Sequence, residues 1–135
     1  MRKINKIVVH STATPAGRVV TVEEIDRWHK ARGWKGIGYH YVIGLNGERW
    51  IGRPEHEVGV HTRNHNHDSI GVVYVGGTLA DVKTPADTRT ALQKAELQKL
   101  LKELKIKYQC VIYGHRDFNA TACPSFDAKN EYKNL

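Results

Sequence analysis

The stretch QCVIYGHRDFNATACP, residues 109–124, begins as an apolar β-branched run and ends as a polar loop. QCVIY, residues 109–113, reads as the last core strand of the chain. His115 follows it after one glycine, and Cys123 stands eight residues further on, with no apolar period in between. A second run, KIVV at residues 6–9, ends directly in His10. If the two strands are neighbours that run the same way, both histidines emerge at one edge of one sheet. The loop after His115 can then fold Cys123 back toward them.

Working outward, the rest of the chain supplies further strands and the helices that cover them. HSTATPAG is a loop, broken by Pro15 and Gly17. Thr21 opens a helix, with Glu24 placed to complete a capping box. Val22, Ile25 and Trp28 form the apolar face of that helix, and Gly33 ends it. From Tyr39, YHYVIGL alternates as a strand. Asn46–Gly47 is a hairpin signal and ERWIG the returning strand. Residues 53–69 read as a histidine-rich loop, and SIGVVYVGG carries a second buried strand through Val75. Thr90 and Gln93 open another helix, lined on its inner face by Leu97, Leu100, Leu101 and Leu104. This order of strands, helices and one hairpin predicts an α/β fold: a single domain, residues 1–135, with a mixed central β-sheet flanked by helices.

Composition narrows the function classes. A chain of 135 residues suits one core, and no repeat or low-complexity run is present. The formal charge of +7 favours an anionic partner such as a nucleic acid, a membrane surface or an envelope polymer. The basic residues form no single block and carry no aromatic ladder, so nucleic acid is not the expected partner. The chain has no apolar run long enough to insert stably in a membrane, and MRKINKIVV lacks the apolar core of a signal peptide. A cytoplasmic location follows as the expectation. There, two cysteines read as thiols or ligands rather than a bridge, a Cys110–Cys123 disulfide being the alternative. Cys110, alternating with Val111, reads as an inert core thiol.

His10, His115 and Cys123 together would give two imidazoles and one thiolate. That is a three-ligand set that leaves a fourth zinc position open. Spacing alone does not decide the matter. The chain has no HExxH and no CxxC, and a single histidine or cysteine in a loop is usually unbound. The other candidates have ordinary readings too. Tyr39 can be a packing aromatic, Asn66 and Ser69 turn residues, and His61, His65 and His67 loop polars. His40 faces away from Tyr39 and reads as structural. His29 and His56 read as solvated, and Trp28 as core.

Four ordered motifs go further: VVHSTAT (8–14), GWKGIGYHYVIGLNG (33–47), VGVHTRNHNHDSIGVVYVGG (58–77) and GHRDFNATACPSFD (114–127). Together they resemble the type-two N-acetylmuramoyl-L-alanine amidases, zinc enzymes that cut peptidoglycan. The likeness is greatest to the small phage lysozymes that are amidases, and more distant to the peptidoglycan recognition proteins of animals. It spans roughly residues 6–127. It implies an amidase-like fold, a zinc cofactor held by His10, His115 and Cys123, and an active-site tyrosine at Tyr39. It places His61 at the substrate groove, where Asn66 and Ser69 are further candidates for binding substrate. The phage enzymes carry lysine two residues before the cysteine. This chain has Thr121, as do some catalytic recognition proteins, which leaves Thr121 as a catalytic candidate of weaker donor strength.

The reaction so implied is hydrolysis of the amide between N-acetylmuramic acid and L-alanine in bacterial peptidoglycan. It is the work of a phage or prophage endolysin held in the host cytoplasm until lysis and acting as a monomer. Two other readings stand beside it. One is a module that binds peptidoglycan without cutting it, which loss of a ligand would signal; all three ligands are present. The other is an amidase that also binds a phage RNA polymerase, as the resemblance allows.

Overall fold

The computed structural model describes residues 2–135. The chain runs β1 (Lys6–Ser11), β2 (Thr14–Pro15), α1 (Val22–Ala31), β3 (Tyr41–Ile43) and β4 (Arg49–Ile51). It continues through β5 (Ser69–Tyr74), β6 (Gly77–Thr78), α2 (Ala91–Tyr108), β7 (Val111–Gly114) and α3 (Ala128–Glu131). Single 3₁₀ turns precede β5 (Asn66–Asp68) and follow β7 (His115–Asp117).

The main sheet has the order β4-β3-β5-β1-β7. Its inner pairs are parallel and β3–β4 is the antiparallel hairpin, so the sheet is mixed as expected. Strand alternation divides the core between two faces. Ile70, Val72 and Tyr74 pack on the α2 side, with Ile7, Val9, Leu97, Leu100, Leu101 and Leu104. Val73 and Val75 turn the other way, toward Ile25 of α1 and Val42. On β1, Ile7 and Val9 pack on the α2 side, which turns His10 to the opposite face.

Local signals explain the helices. Thr90 and Gln93 form the complete capping box on α2, and the buried Gln93 also donates from Nε2 to Val75 O at 2.9 Å. At α1 only half of the box forms. Thr21 Oγ1 accepts from Glu24 N–H, while the Glu24 carboxylate pairs with Arg18 at 2.6 Å. Gly33, at φ +89°, provides the left-handed residue beyond the end of α1.

The structure differs from the sequence reading at further points, and the stretch read as the HSTATPAG loop holds the end of β1 and all of β2. β3 starts at Tyr41, so Tyr39 lies in the connection before the strand. β7 starts at Val111, because Gln109 caps α2 in the left-handed region at φ 51°. Trp28 is only half-buried, at the margin of the α1-side cluster. His29 is not solvated: it is 5 % exposed, and its Nδ1 accepts from Gly38 N–H at 2.8 Å. Both cysteines are free thiols. Among the described residues, no helix is long and apolar enough to cross a membrane.

Candidate active site

β1 and β7 are parallel neighbours in a register that sets Val9 beside Gly114. His10 and His115 each come one residue later, and their ring centroids lie 4.6 Å apart. The loop after His115 returns Cys123 by three hydrogen bonds, none of which uses the sulfur. Arg116 N–H donates to Cys123 O at 2.8 Å, Tyr74 O–H to Pro124 O at 2.6 Å, and Ser125 Oγ–H to Gly77 O at 2.8 Å. One ligand atom from each of His10, His115 and Cys123 then lies within 4.8 Å of the others.

The free lone pairs point inward. His115 Nε2 is 2.8 Å from Asn119 Oδ1, an acceptor, so Nε2 carries the proton and Nδ1 is left open. His10 Nδ1 lies 3.8 Å from Cys123 Sγ. Burial holds the pKa of His10 well below its ordinary value, with neighbouring histidines adding to the effect, and burial also lowers that of His115. Both rings are therefore neutral, the form that binds metal. Burial pushes the Cys123 thiol up to about 11, opposed by the Ser11 N–H that donates to Sγ at 3.2 Å.

This donor set fits zinc. Tetrahedral zinc with bonds of about 2.0–2.3 Å spaces its ligand atoms roughly 3.3–3.8 Å apart, and it accepts nitrogen and sulfur together. The 3.8 Å between His10 Nδ1 and Cys123 Sγ matches that spacing with little movement.

A cavity of about 430 Å³ adjoins the cluster. Tyr39, His61, Asn66 and His115 all line it, and so do His29, Arg32, Trp34 and Arg63. The Tyr39 ring lies 5.0 Å from the ring of His10. Burial, reinforced by Cys123 and opposed by Arg32, raises the Tyr39 pKa far above its ordinary value, so the phenol keeps its proton. Asn66 is on the cavity wall, but its Oδ1 accepts from the backbone N–H groups of His61 and Thr62 at 2.9 and 2.8 Å. Ser69 is fully buried and faces His61 Nε2 at 3.2 Å, away from the cavity lining. Thr121 lies on the exposed loop, its hydroxyl accepting from Cys123 N–H at 3.2 Å.

Arg32, Trp34, Thr62, Arg63 and Asn119 escaped the sequence reading. Asn119 had a usable signal, standing four residues after a candidate ligand inside the same polar loop.

The fold and the cluster define a class first: an α/β domain with a His-His-Cys centre at the carboxyl edge of parallel strands, opening into a groove. The family model for N-acetylmuramoyl-L-alanine amidase matches residues 1–126. The chain is 42% identical over 130 residues to an endolysin of Klebsiella phage KP32, covering 95% of this chain and 85% of that one. It is 31% identical over 132 residues to peptidoglycan-recognition protein SC2 of Drosophila melanogaster, covering 93% and 71% of the two chains. Among solved structures, the amidase LysC from Clostridium intestinale superposes with a TM-score of 0.82 at 33% identity, over 96% of this chain and 82% of that one. The chain belongs to the N-acetylmuramoyl-L-alanine amidase family and is an enzyme of that activity.

Proposed function

We propose that this chain is a zinc-dependent endolysin whose single domain cleaves the bond between the lactyl group of N-acetylmuramic acid and L-alanine of the stem peptide. The observation that carries the reading is the convergence of His10, His115 and Cys123 beside a groove lined by Tyr39. Those three residues would hold the zinc, and zinc, when bound, supplies the Lewis acidity that makes water nucleophilic and an amide carbonyl electrophilic near neutral pH.

The chain's own groups do the rest. Tyr39 keeps its O–H, so it serves as a hydrogen-bond donor to negative charge developing on the carbonyl oxygen rather than as a base. Asn119 accepts from His115 Nε2–H and so holds that ring with Nδ1 inward. Arg32 and Arg63 stand in a lining that, among the described residues, holds no carboxylate, which suits the carboxylates of a stem peptide. As an endolysin, the protein would act on the wall after release from the host cytoplasm.

Mass spectrometry of digested peptidoglycan, with and without chelator, tests the reading. Free stem peptides beginning with L-alanine and intact glycan strands are expected, with activity lost on chelation and restored by zinc. New reducing ends without released peptide, or undiminished cleavage by metal-free protein, would overturn it.

A further inference from the structure

We propose that His61 is a positioning residue for the metal centre: the chain Ser69–His61–His10 holds His10 with its proton on Nε2 and its Nδ1 lone pair facing Cys123 and His115. The proposal rests on the zinc reading of the site and assigns His61 a role distinct from contact with substrate.

The hydrogen bonds set the direction of the chain. His10 Nε2 is 2.9 Å from His61 Nδ1 and 3.2 Å from Thr62 Oγ1, while Thr62 Oγ1 is itself 2.9 Å from His61 Nδ1. A ring that gives its Nδ1 lone pair to a metal must carry its proton on Nε2 and needs an acceptor there. For His10 the acceptors within reach are His61 Nδ1 and the Thr62 hydroxyl oxygen. If His61 carried a proton on Nδ1, two N–H groups would meet head-on across 2.9 Å, or the His10 proton would move to Nδ1 and occupy the metal-binding lone pair. His61 is therefore the Nε2–H tautomer, and that proton points at Ser69 Oγ, 3.2 Å away. Ser69 is fully buried, so this end of the chain is sealed from solvent.

The packing around His61 is built for one ring position. A Cβ added at Gly71 would lie 2.7 Å from His61 Cγ and Cδ2, and one added at Gly59 would lie 2.7 Å from Cδ2. Both glycines thus leave the space that the ring fills. The main chain is fixed as well, since His61 N–H donates to Asn66 Oδ1 at 2.9 Å. A histidine free to adjust to a ligand would need neither this cradle nor partners on both nitrogens.

Two measurements on the full chain test the proposal. In metal-free protein, long-range ¹H–¹⁵N spectra are expected to show His10 as the Nε2–H tautomer, and in His61→Ala as a mixture. Zinc affinity, from competition with a chromophoric chelator, should fall about 10- to 100-fold in His61→Ala, the usual loss for a residue that orients a ligand. His61→Asn, whose Oδ1 can occupy the place of Nδ1 as acceptor, should recover most of that affinity. Ser69→Ala removes only the far partner and should cost less than His61→Ala, which covers the case of a misfolded ring deletion. Parent zinc affinity and an unchanged His10 tautomer in His61→Ala, with only KM raised, would overturn the proposal and make His61 a substrate contact. A parent that takes up no zinc but still shows His10 as Nε2–H would overturn the metal reading alone and support the hydrogen-bonded chain.

Discussion

Arg89 and His10 are both polar and both buried, yet their surroundings are opposites. The Arg89 side chain is 2 % exposed and its five N–H groups make five bonds. Two go to Asp87, both at 2.9 Å, two to Glu131, both at 2.8 Å, and one to Tyr132 Oη at 2.9 Å. The guanidinium also stacks 3.4 Å over the ring of Phe126. At His10 the inward-facing atoms are Nδ1 of two rings and the sulfur of Cys123, whose thiol proton is only a weak donor to them. A saturated cluster is a fastener, here pinning α3 and the chain end to the segment before α2. A cluster of converging lone pairs held together by one weak thiol donor leaves acceptor capacity that suits a Lewis acid. The contrast separates structure from function more sharply than burial does.

Substitution at each cluster should break the protein in different ways. Cys123→Ala should abolish zinc retention and wall lysis, a larger loss than the roughly 10- to 100-fold expected for a residue that only supports a ligand. The fold should persist, because the returning loop keeps its hydrogen bonds through Arg116 N–H, Tyr74 O–H and Ser125 Oγ–H. Arg89→Met should do the reverse, lowering unfolding stability in urea by about 1.5–3 kcal/mol, the scale of hydrogen bonds to charged groups. The loss stays moderate because Asp87 and Glu131 are partly exposed and regain water. Zinc content and turnover of the folded fraction should match the parent. A Cys123→Ala protein that keeps its zinc, or an Arg89→Met protein that loses it, would erase the distinction.

A smaller effect sharpens the comparison within the site itself. Tyr39 lines the groove beside the His10 ring but belongs to no ligand set. Tyr39→Phe keeps the ring and its packing, so zinc content should stay at the parent level. Turnover should fall about 10²-fold, the loss typical of one donor to a developing oxyanion. Near-normal turnover would assign Tyr39 to packing.

How much of this was legible beforehand depends on the reach of each interaction. The strands KIVV and SIGVVYVGG and the box of Thr90 with Gln93 are local, and they formed as their patterns require. The meeting of His10 with His115 needed one further premise, that β1 and β7 are parallel neighbours, and the register provides it. The burial of His29 does carry a sequence signal: it falls four residues after Ile25, on the buried face of α1, and a polar side chain there needs a partner such as Gly38 N–H. The Arg89–Glu131 pair and the space for His61 beside Gly59 and Gly71 arise from tertiary packing, and no local period encodes them. Gln109 shows the same limit at a boundary, where a left-handed cap shortened the strand that QCVIY suggested.

Thr121 gives the smallest expected effect and separates two roles for one hydroxyl. The family resemblance makes it a candidate donor to the reaction. In the fold its Oγ1 accepts from Cys123 N–H at 3.2 Å, on an exposed loop outside the groove lining. An acceptor in that position steadies the main chain that carries the sulfur. Losing one neutral hydrogen bond costs about 0.5–1.5 kcal/mol, and the exposed setting favours the low end because water can replace the acceptor. Thr121→Val should therefore weaken zinc affinity by about two- to five-fold, with a matching fall in activity at limiting zinc. Thr121→Ser should restore both. Saturating zinc is the decisive condition. If the hydroxyl only holds the loop, added zinc should return Thr121→Val to parental turnover. If it donates in the transition state, kcat should stay depressed at every zinc concentration, and Thr121 would then belong with Tyr39.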